Sequence, residues 1–514
     1  MEVTVTTFLL ASLIFLTLRS IYRLWYHPLS HIPGPPLAAI THLYEAYHDI
    51  VRGGLYVWEI EKMHDKYGPV VRFNPREVHI RDPYYFNTIY CASSLGKRNK
   101  DTGFPGVHSV RHSLLTTLTH QKHRQRRALL ETVMAPPSVK TWEPIIREHI
   151  AILMKRFSEA PSGIVDLNAA FAALTADTVG RFLTGESLGA LNAPGFRNDM
   201  HEGSKSGAAG IHLLRLFPAV AGVLSWIPLS VLRFLGLPLG QWLEFLAVCG
   251  ESARKALKES KETTNAKGQE TEAKNAPAKR SFYAALIAGS TSDEEQTIAR
   301  LQEEAMVFLL AGNHTTAGVM TLAVYHLALM PEITTTLRKE LATLPVPANQ
   351  ASWKELQELP YLTGVVKEAL RLSQGASLRS ARISPDRDLV CNGIVLPAGT
   401  PLSQQTVFVS MDTEIFPNPQ CFDPTRWGKP APDAKGLDTY LASFGKGTRN
   451  CIGKSLASAI MLLTLAALVP EFDLTLANGT KIDLVRWRDM GTPFPMDPNN
   501  QEVKVQVAQA PASS

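Results

Sequence analysis

The segment Phe444-Gly-Lys-Gly447-Thr-Arg449-Asn-Cys451-Ile-Gly453 constrains this chain more than any other stretch. It sets one cysteine in a glycine-punctuated loop, with an arginine two residues ahead and an apolar helical stretch, Lys454 to Leu468, directly behind. Gly447 and Gly453 can take backbone angles that other residues resist, so the loop can turn sharply and bring its amides close to the sulfur. A nearby cation, a helix N-terminus and a metal each favour the thiolate over the thiol. An isolated cysteine is more often a buried, inert one. The joint pattern FxxGxRxCxG outweighs that reading, because so many specified letters rarely coincide. A thiolate in such a loop would be a haem ligand, its potential tuned by the loop amides. Arg449 is placed to meet an anionic propionate.

Three more segments join it. Glu368-Ala-Leu-Arg371 lies inside the helical stretch Leu362 to Leu372, where i,i+3 spacing puts both charges on one face. Alone such a pair is a weak surface contact. Phe422-Asp-Pro424-Thr-Arg426-Trp427 supplies a second arginine, and two arginines on one carboxylate make a network that is costly to break. Ala311-Gly312-Asn-His314-Thr315-Thr316 sits in an apolar run from Ala305 to Met330, long enough for a central helix. Mid-helix glycine costs about 1 kcal/mol relative to alanine. Close approach of a ligand is the expected reason for Gly312. Phe308, Ala311, Gly312 and Thr315 form one stripe that could face a cofactor and substrate, although the same stripe also suits ordinary packing.

These four pieces, in this order, resemble the cytochrome P-450 family, and the resemblance runs from Pro33-Gly34-Pro35 to the C-terminal strands. It implies a mainly α fold with small β-sheets and one large catalytic domain. It further implies haem b (iron protoporphyrin IX) with Cys451 as axial thiolate, Glu368, Arg371 and Arg426 as a structural triad beside the cofactor, and Thr315 as the oxygen-activating threonine with Gly312 next to it. His123 and Arg127, at i,i+4, match the family's propionate-binding helix, and Phe444 opens the cysteine loop. Arg382 matches another propionate arginine, eleven residues past Arg371 in a stretch one residue longer than usual.

At one position the chain departs from the family. Asp or Glu usually precedes the catalytic threonine, and here it is His314. A neutral imidazole can donate and accept a proton and titrates near physiological pH. His314 either joins proton delivery or points away, leaving Thr315 and ordered water to carry it.

A chain of 514 residues with 45% hydrophobic content can bury a large core, and length alone suggests about three domains. Residues as distant as His123 and Cys451 must meet on one cofactor, which argues for a single catalytic domain over 38–514. A net charge of +5 from 52 basic and 47 acidic residues is mild, so no nucleic-acid partner is expected. Five cysteines without a CxxC fit a reducing compartment.

Val3 to Leu18 carries no charge, and extension to Tyr22 reaches the roughly 30 Å of a hydrocarbon core. Arg19 and Arg23 follow, with Tyr22, Trp25 and Tyr26 at the interface. Residues 1–26 read as a single-pass anchor and not as a cleaved leader, since no basic n-region precedes the apolar stretch. Residues 27–37 read as a proline-rich hinge. Val70–Asn74 and Glu77–Arg81 alternate like two strands of a hairpin. Ile211 to Leu246 reads as a lipid-dipping entrance, because Arg215, Arg233 and its prolines and glycines argue against a second span. Lys255 to Arg280 reads as a surface loop.

The resemblance is strongest to fungal members that decorate secondary metabolites. It implies an endoplasmic-reticulum monooxygenase with a cytosolic catalytic domain, taking electrons from NADPH through an NADPH–cytochrome P-450 reductase and oxidising an apolar terpenoid- or polyketide-like substrate. Expected pocket residues are Phe104 to Val110, Phe308, Ala311, Ser377, Leu378 and Thr492 to Phe494. A haem-thiolate isomerase or peroxide-driven enzyme, and a non-catalytic haem protein, are the alternatives. NADPH consumption with a reductase and candidate substrates separates the three.

Overall fold

A computed structural model describes residues 2–104, 110–160, 163–198, 201, 208, 210–220, 227, 231, 247–259, 282–289, 293–429, 431–477, 479–483, 485–497 and 502–510. The apolar run around Gly312 folds as the 32-residue central helix Ile298–Leu329, whose first turn is capped by the Thr297 side chain. Apolar residues occupy most of its circumference, as a helix enclosed by others requires. Its main neighbours are the helices Leu167–Thr184, Pro360–Ser373 and Lys454–Glu471. Small residues let the backbones approach: Ala170, Ala172, Ala173 and Ala176 are fully buried on the first of these. Gly312 belongs to the same device, because a Cβ there would come within 2.9 Å of Val179 Cγ2. Helix–helix approach therefore asks for glycine at this position as well, beside the cavity that Gly312 also lines.

The predicted hairpin forms between β1 (Val70–Arg72) and β2 (Val78–Ile80), with Val70 opposite Ile80. They belong to a five-stranded sheet of order β1-β2-β8-β5-β3, completed by β3 (Asn99–Lys100), β5 (Arg382–Ile383) and β8 (Pro401–Ser403). Three smaller sheets follow. They pair β4 (Ile164–Asp166) and β9 (Phe472–Leu476) with β12 (Lys504–Gln509), β6 (Leu389–Cys391) with β7 (Ile394–Leu396), and β10 (Trp487–Asp489) with β11 (Pro493–Pro495). The mainly α architecture with small sheets is the one expected.

Among the described residues, three helices are long and apolar enough to cross a membrane. Ile298–Leu329 and Lys454–Glu471 lie in the core, whereas Thr4–Tyr26 has none of its apolar window buried. That third helix has the character of the expected anchor. Its end is tied to the globular body: Arg72 Nη1 donates to the Arg23 carbonyl at 2.7 Å, and Arg23 Nη1 donates to Ile40 O at 2.5 Å. The proline-rich segment is docked as well, with Leu29 and Ile32 buried and Arg72 N donating to Pro33 O at 2.8 Å. Of the expected entrance, 221–226, 228–230 and 232–246 lie outside the described residues, as do 260–280 of the expected surface loop and 105–109 of the expected pocket.

Candidate active site

The central helix and the cysteine loop face each other across an internal cavity of about 390 Å³. On one side Val307, Phe308, Ala311, Gly312 and Thr315 line it, so the expected stripe does face inward. On the other side lie Phe444, Arg449, Cys451 and Gly453. His123, Arg127 and Arg382 complete the wall. Residues more than three hundred positions apart therefore meet at one space, as a shared cofactor demands.

The loop is built by backbone. Cys451 N donates to Phe444 O at 2.7 Å and closes the turn. Gly447 has φ of +68° and packs so tightly on Cys91 that a Cβ would overlap its carbonyl. Gly445 is also left-handed, at +62°. Gly453 is not: its φ is −82°, so the expected conformational need falls on Gly445 and Gly447. What Gly453 contributes is an amide hydrogen bond to Cys451 Sγ. Cys451 is open to the cavity yet shielded from bulk water, and this desolvation pushes its thiol up, against the pull of that amide, Arg127 and Lys454. A bound metal would favour the thiolate there.

The ExxR prediction is realised as a buried network. Arg371 donates to both oxygens of Glu368 at 2.6 and 3.1 Å, and Arg426 Nε donates to Oε1 at 2.9 Å. Glu368 and Arg371 are fully buried. Two further donors were not foreseen, the Trp427 indole and the Asp423 amide, both at 3.1 Å. None of the three charged residues lines the cavity, so they do not touch the cofactor space directly. They act through the chain that follows. Ser443 Oγ donates to Leu370 O at 2.6 Å, fastening the cysteine loop to the Glu368 helix.

The charges around the cavity bear on what it could hold. Burial, then Arg382, lowers the Arg449 pKa to about 9. Burial, then Arg449, lowers His123 to about 2. Arg382 is lowered by burial. Among the described residues no carboxylate pairs with Arg449, Arg382 or His123, and Arg449 Nε is buried without a partner. Arg449 Nη1 and Nη2 donate to Thr117 O and Leu118 O at 2.7 and 2.8 Å, so its charge has carbonyl partners but no anion, which suits a ligand carrying carboxylates. With a thiol across a largely apolar space, the residues fit a haem. Arg127 lines the cavity and also has protein partners. Nη1 and Nη2 donate to Asn450 O at 2.8 Å and Oδ1 at 2.7 Å, and Nε to Glu131 at 2.6 Å, so it braces the residue before the cysteine.

Thr315 Oγ1 donates to Ala311 O at 2.6 Å, which leaves its lone pairs toward the cavity. His314 is placed elsewhere. Its ring stacks on Phe494 at 5.4 Å and lies 5.2 Å from the His201 ring, outside the cavity lining. One helical step of 100° accounts for the separation from Thr315. Of the expected pocket residues, Phe104, Phe308, Ala311 and Leu378 line the cavity. Val110, Ser377 and Thr492–Phe494 do not: Ser377 turns its hydroxyl to Asp489 at 2.6 Å, and Phe494 is occupied by His314. Leu114, Leu115 and Phe182 line it without having been expected, since nothing in their local sequence separates a pocket wall from ordinary core.

Comparison with known proteins agrees with this geometry. The chain is 39% identical to the cytochrome P-450 monooxygenase aflU of Aspergillus parasiticus over 495 residues, covering 96% of each chain. It is 40% identical to the cytochrome P-450 monooxygenase TRI4 of Trichoderma arundinaceum, over 92% of this chain and 90% of that one. It is 35% identical to the conidiogenone synthase of Penicillium rubens, over 93% and 94% respectively. The family profile described as cytochrome P-450 matches residues 33–503. A thiol, a cation cluster and an apolar chamber on one space, in a chain that matches the family over nearly its whole length, make this protein a member of the cytochrome P-450 family.

Proposed function

We propose that this oxidoreductase inserts one oxygen atom from dioxygen into an apolar, terpenoid- or polyketide-like secondary metabolite. The observation that carries the reading is the meeting of Cys451, the unpaired cations and Thr315 on one largely apolar cavity. Fungal secondary-metabolism relatives such as the conidiogenone synthase favour the substrate class. Phe104, Leu114, Leu115, Phe182 and Phe308 would hold the substrate by burial of apolar surface and exclude water.

Cys451 would hold haem b through its thiolate, and the bound haem would supply dioxygen activation. His123, Arg382 and Arg449 would hold its carboxylates. Arg127 braces Asn450, and the Gly453 amide tempers the charge on sulfur. Thr315 Oγ1 would accept a hydrogen bond from a water in the cavity and keep a proton source beside the reacting centre. Electrons would come from NADPH through a cytochrome P-450 reductase. The helix Thr4–Tyr26, with Arg19 and Arg23 at its end, would anchor the protein in the endoplasmic reticulum with the catalytic domain in the cytosol.

The test is reconstitution. Purified protein, reductase and NADPH should convert one member of a panel of apolar terpenoids and polyketides to a product heavier by one oxygen, labelled from heavy dioxygen. Label arriving from water would sink the reading.

A further inference from the structure

We propose that Glu304 is a positioning residue for specificity, and that its carboxylate sets the depth of the substrate space by fixing the wall segment 112–117. The proposal rests on the haem monooxygenase reading above and concerns which apolar substrate the cavity admits. Glu304 is the only carboxylate among the described residues that line the cavity, and it is fully buried. It extends the inward stripe: Glu304, Phe308, Ala311 and Thr315 lie on one face of the central helix, with Glu304 about 16 Å along the axis from Thr315. A charge on that apolar face is costly unless it has a task.

The task is found on the facing segment. Residues 110–118 contain no helix or strand, so no backbone ladder holds them in place. Glu304 Oε2 accepts from Leu114 N at 2.8 Å, and Glu303 Oε2 accepts from His112 N at 2.6 Å. Leu114 and Leu115, at this attachment, line the cavity. The other end of the segment is fastened separately, because Arg126 Nη1 donates to Thr117 Oγ1 at 2.9 Å and Arg449 Nη1 donates to Thr117 O at 2.7 Å.

Stability alone does not account for the charge. Arg300 Nη1 donates to the same Oε2, while Arg300 Nη2 and Glu304 Oε1 are buried without a partner. Apolar residues of like volume often replace such a buried pair without loss. They cannot replace the acceptor for the Leu114 amide. Arg300 keeps Glu295 at 2.9 Å in any case, so removal of the Glu304 carboxylate leaves that cation paired and frees the wall.

The experiment compares Glu304→Leu and Glu304→Gln with wild type, each as the haem-loaded full chain. In Glu304→Leu, amide hydrogen exchange of the peptide 110–118 should quicken roughly ten- to hundredfold, the range for one hydrogen bond to a charged group. The probes of the space are imidazole and 1-dodecylimidazole, whose ring ligates the iron and whose chain occupies the apolar chamber, with affinity read from the Soret shift. In Glu304→Leu the dodecyl compound should bind roughly tenfold more weakly and imidazole within about twofold, because the chain must then order its own wall. Glu304→Gln keeps an acceptor for the Leu114 amide and should restore both readouts. Wild-type exchange in Glu304→Leu overturns the attachment. Faster exchange with unchanged dodecyl affinity confines Glu304 to structure and overturns the specificity role, as does an equal loss for imidazole. Should Glu304→Leu not fold, Glu304→Asp, which withdraws the carboxylate from the amide and keeps its charge, is held to the same criteria. Failure of the underlying reading shows elsewhere: wild type would lack the reduced carbon-monoxide band, or would oxygenate no member of the panel.

Discussion

Gly447 lies flat against the carbonyl of Cys91, with no room for a methyl group and a φ of +68° that L side chains resist. Gly447→Ala should therefore fail twice, by clash and by roughly 1–2 kcal/mol of left-handed strain. The expected result is loss of most of the carbon-monoxide Soret band per unit of purified protein. Retention of the full band would show that the loop tolerates another path.

The Glu368 carboxylate holds two arginines, an indole and an amide in the core. Glu368→Ala leaves two buried cations without their anion, a loss of about 3–5 kcal/mol. Haem content and urea midpoint should fall together. If only the midpoint moved, the link through Ser443 to the cysteine loop would be wrong.

His326 stacks on Phe422 with centroids 4.4 Å apart, and both ring nitrogens are buried without a partner. Burial, then Arg371, lowers its pKa to about 4. The unfolded chain takes up that proton near pH 6.5, so stability is full above this value and falls as pH drops toward 4. The contribution is about 2 kcal/mol by pH 5. His326→Phe should lose less stability than wild type between pH 7 and 5, by about that amount in urea titrations.

His314 packs on Phe494 and His201 outside the cavity, whereas Thr315 faces it. Thr315→Ala should release peroxide and lower product per NADPH severalfold. His314→Ala should leave that ratio within about twofold and cost about 0.5–1.5 kcal/mol for the lost ring contact. Uncoupling in His314→Ala equal to that of Thr315→Ala would restore the imidazole to proton delivery.

Removal of residues 2–20 should free the protein from membranes with its thermal midpoint unchanged. Removal of 2–26 also strips the Arg23 carbonyl from buried Arg72. That deletion should cost about 1–3 kcal/mol, read as a lower melting temperature with haem still bound. Equal midpoints would show that water replaces the carbonyl.

The cysteine loop, the Glu368 network and the inward stripe of the central helix were legible because each is a local pattern with a demanding physical requirement. A left-handed glycine, an i,i+3 charge pair and a helical period are written in adjacent residues. What was hidden depends on chain brought from afar. Gly312 answers to Val179, Arg127 to Asn450, and His314 to Phe494, partners that no spacing rule connects. The proline-rich hinge looked like a spacer because its composition forbids helix, yet composition says nothing of Leu29 and Ile32 docking beneath it.

The cavity wall draws on residues from Phe86 to Met461, which has a consequence for how the protein is made. At roughly 5–20 residues per second, His123 leaves the ribosome some twenty seconds to a minute before Cys451. During that interval the cavity lacks Cys451 and the helix that follows it. A cofactor that needs both walls would therefore be captured late, once nearly the whole chain has emerged.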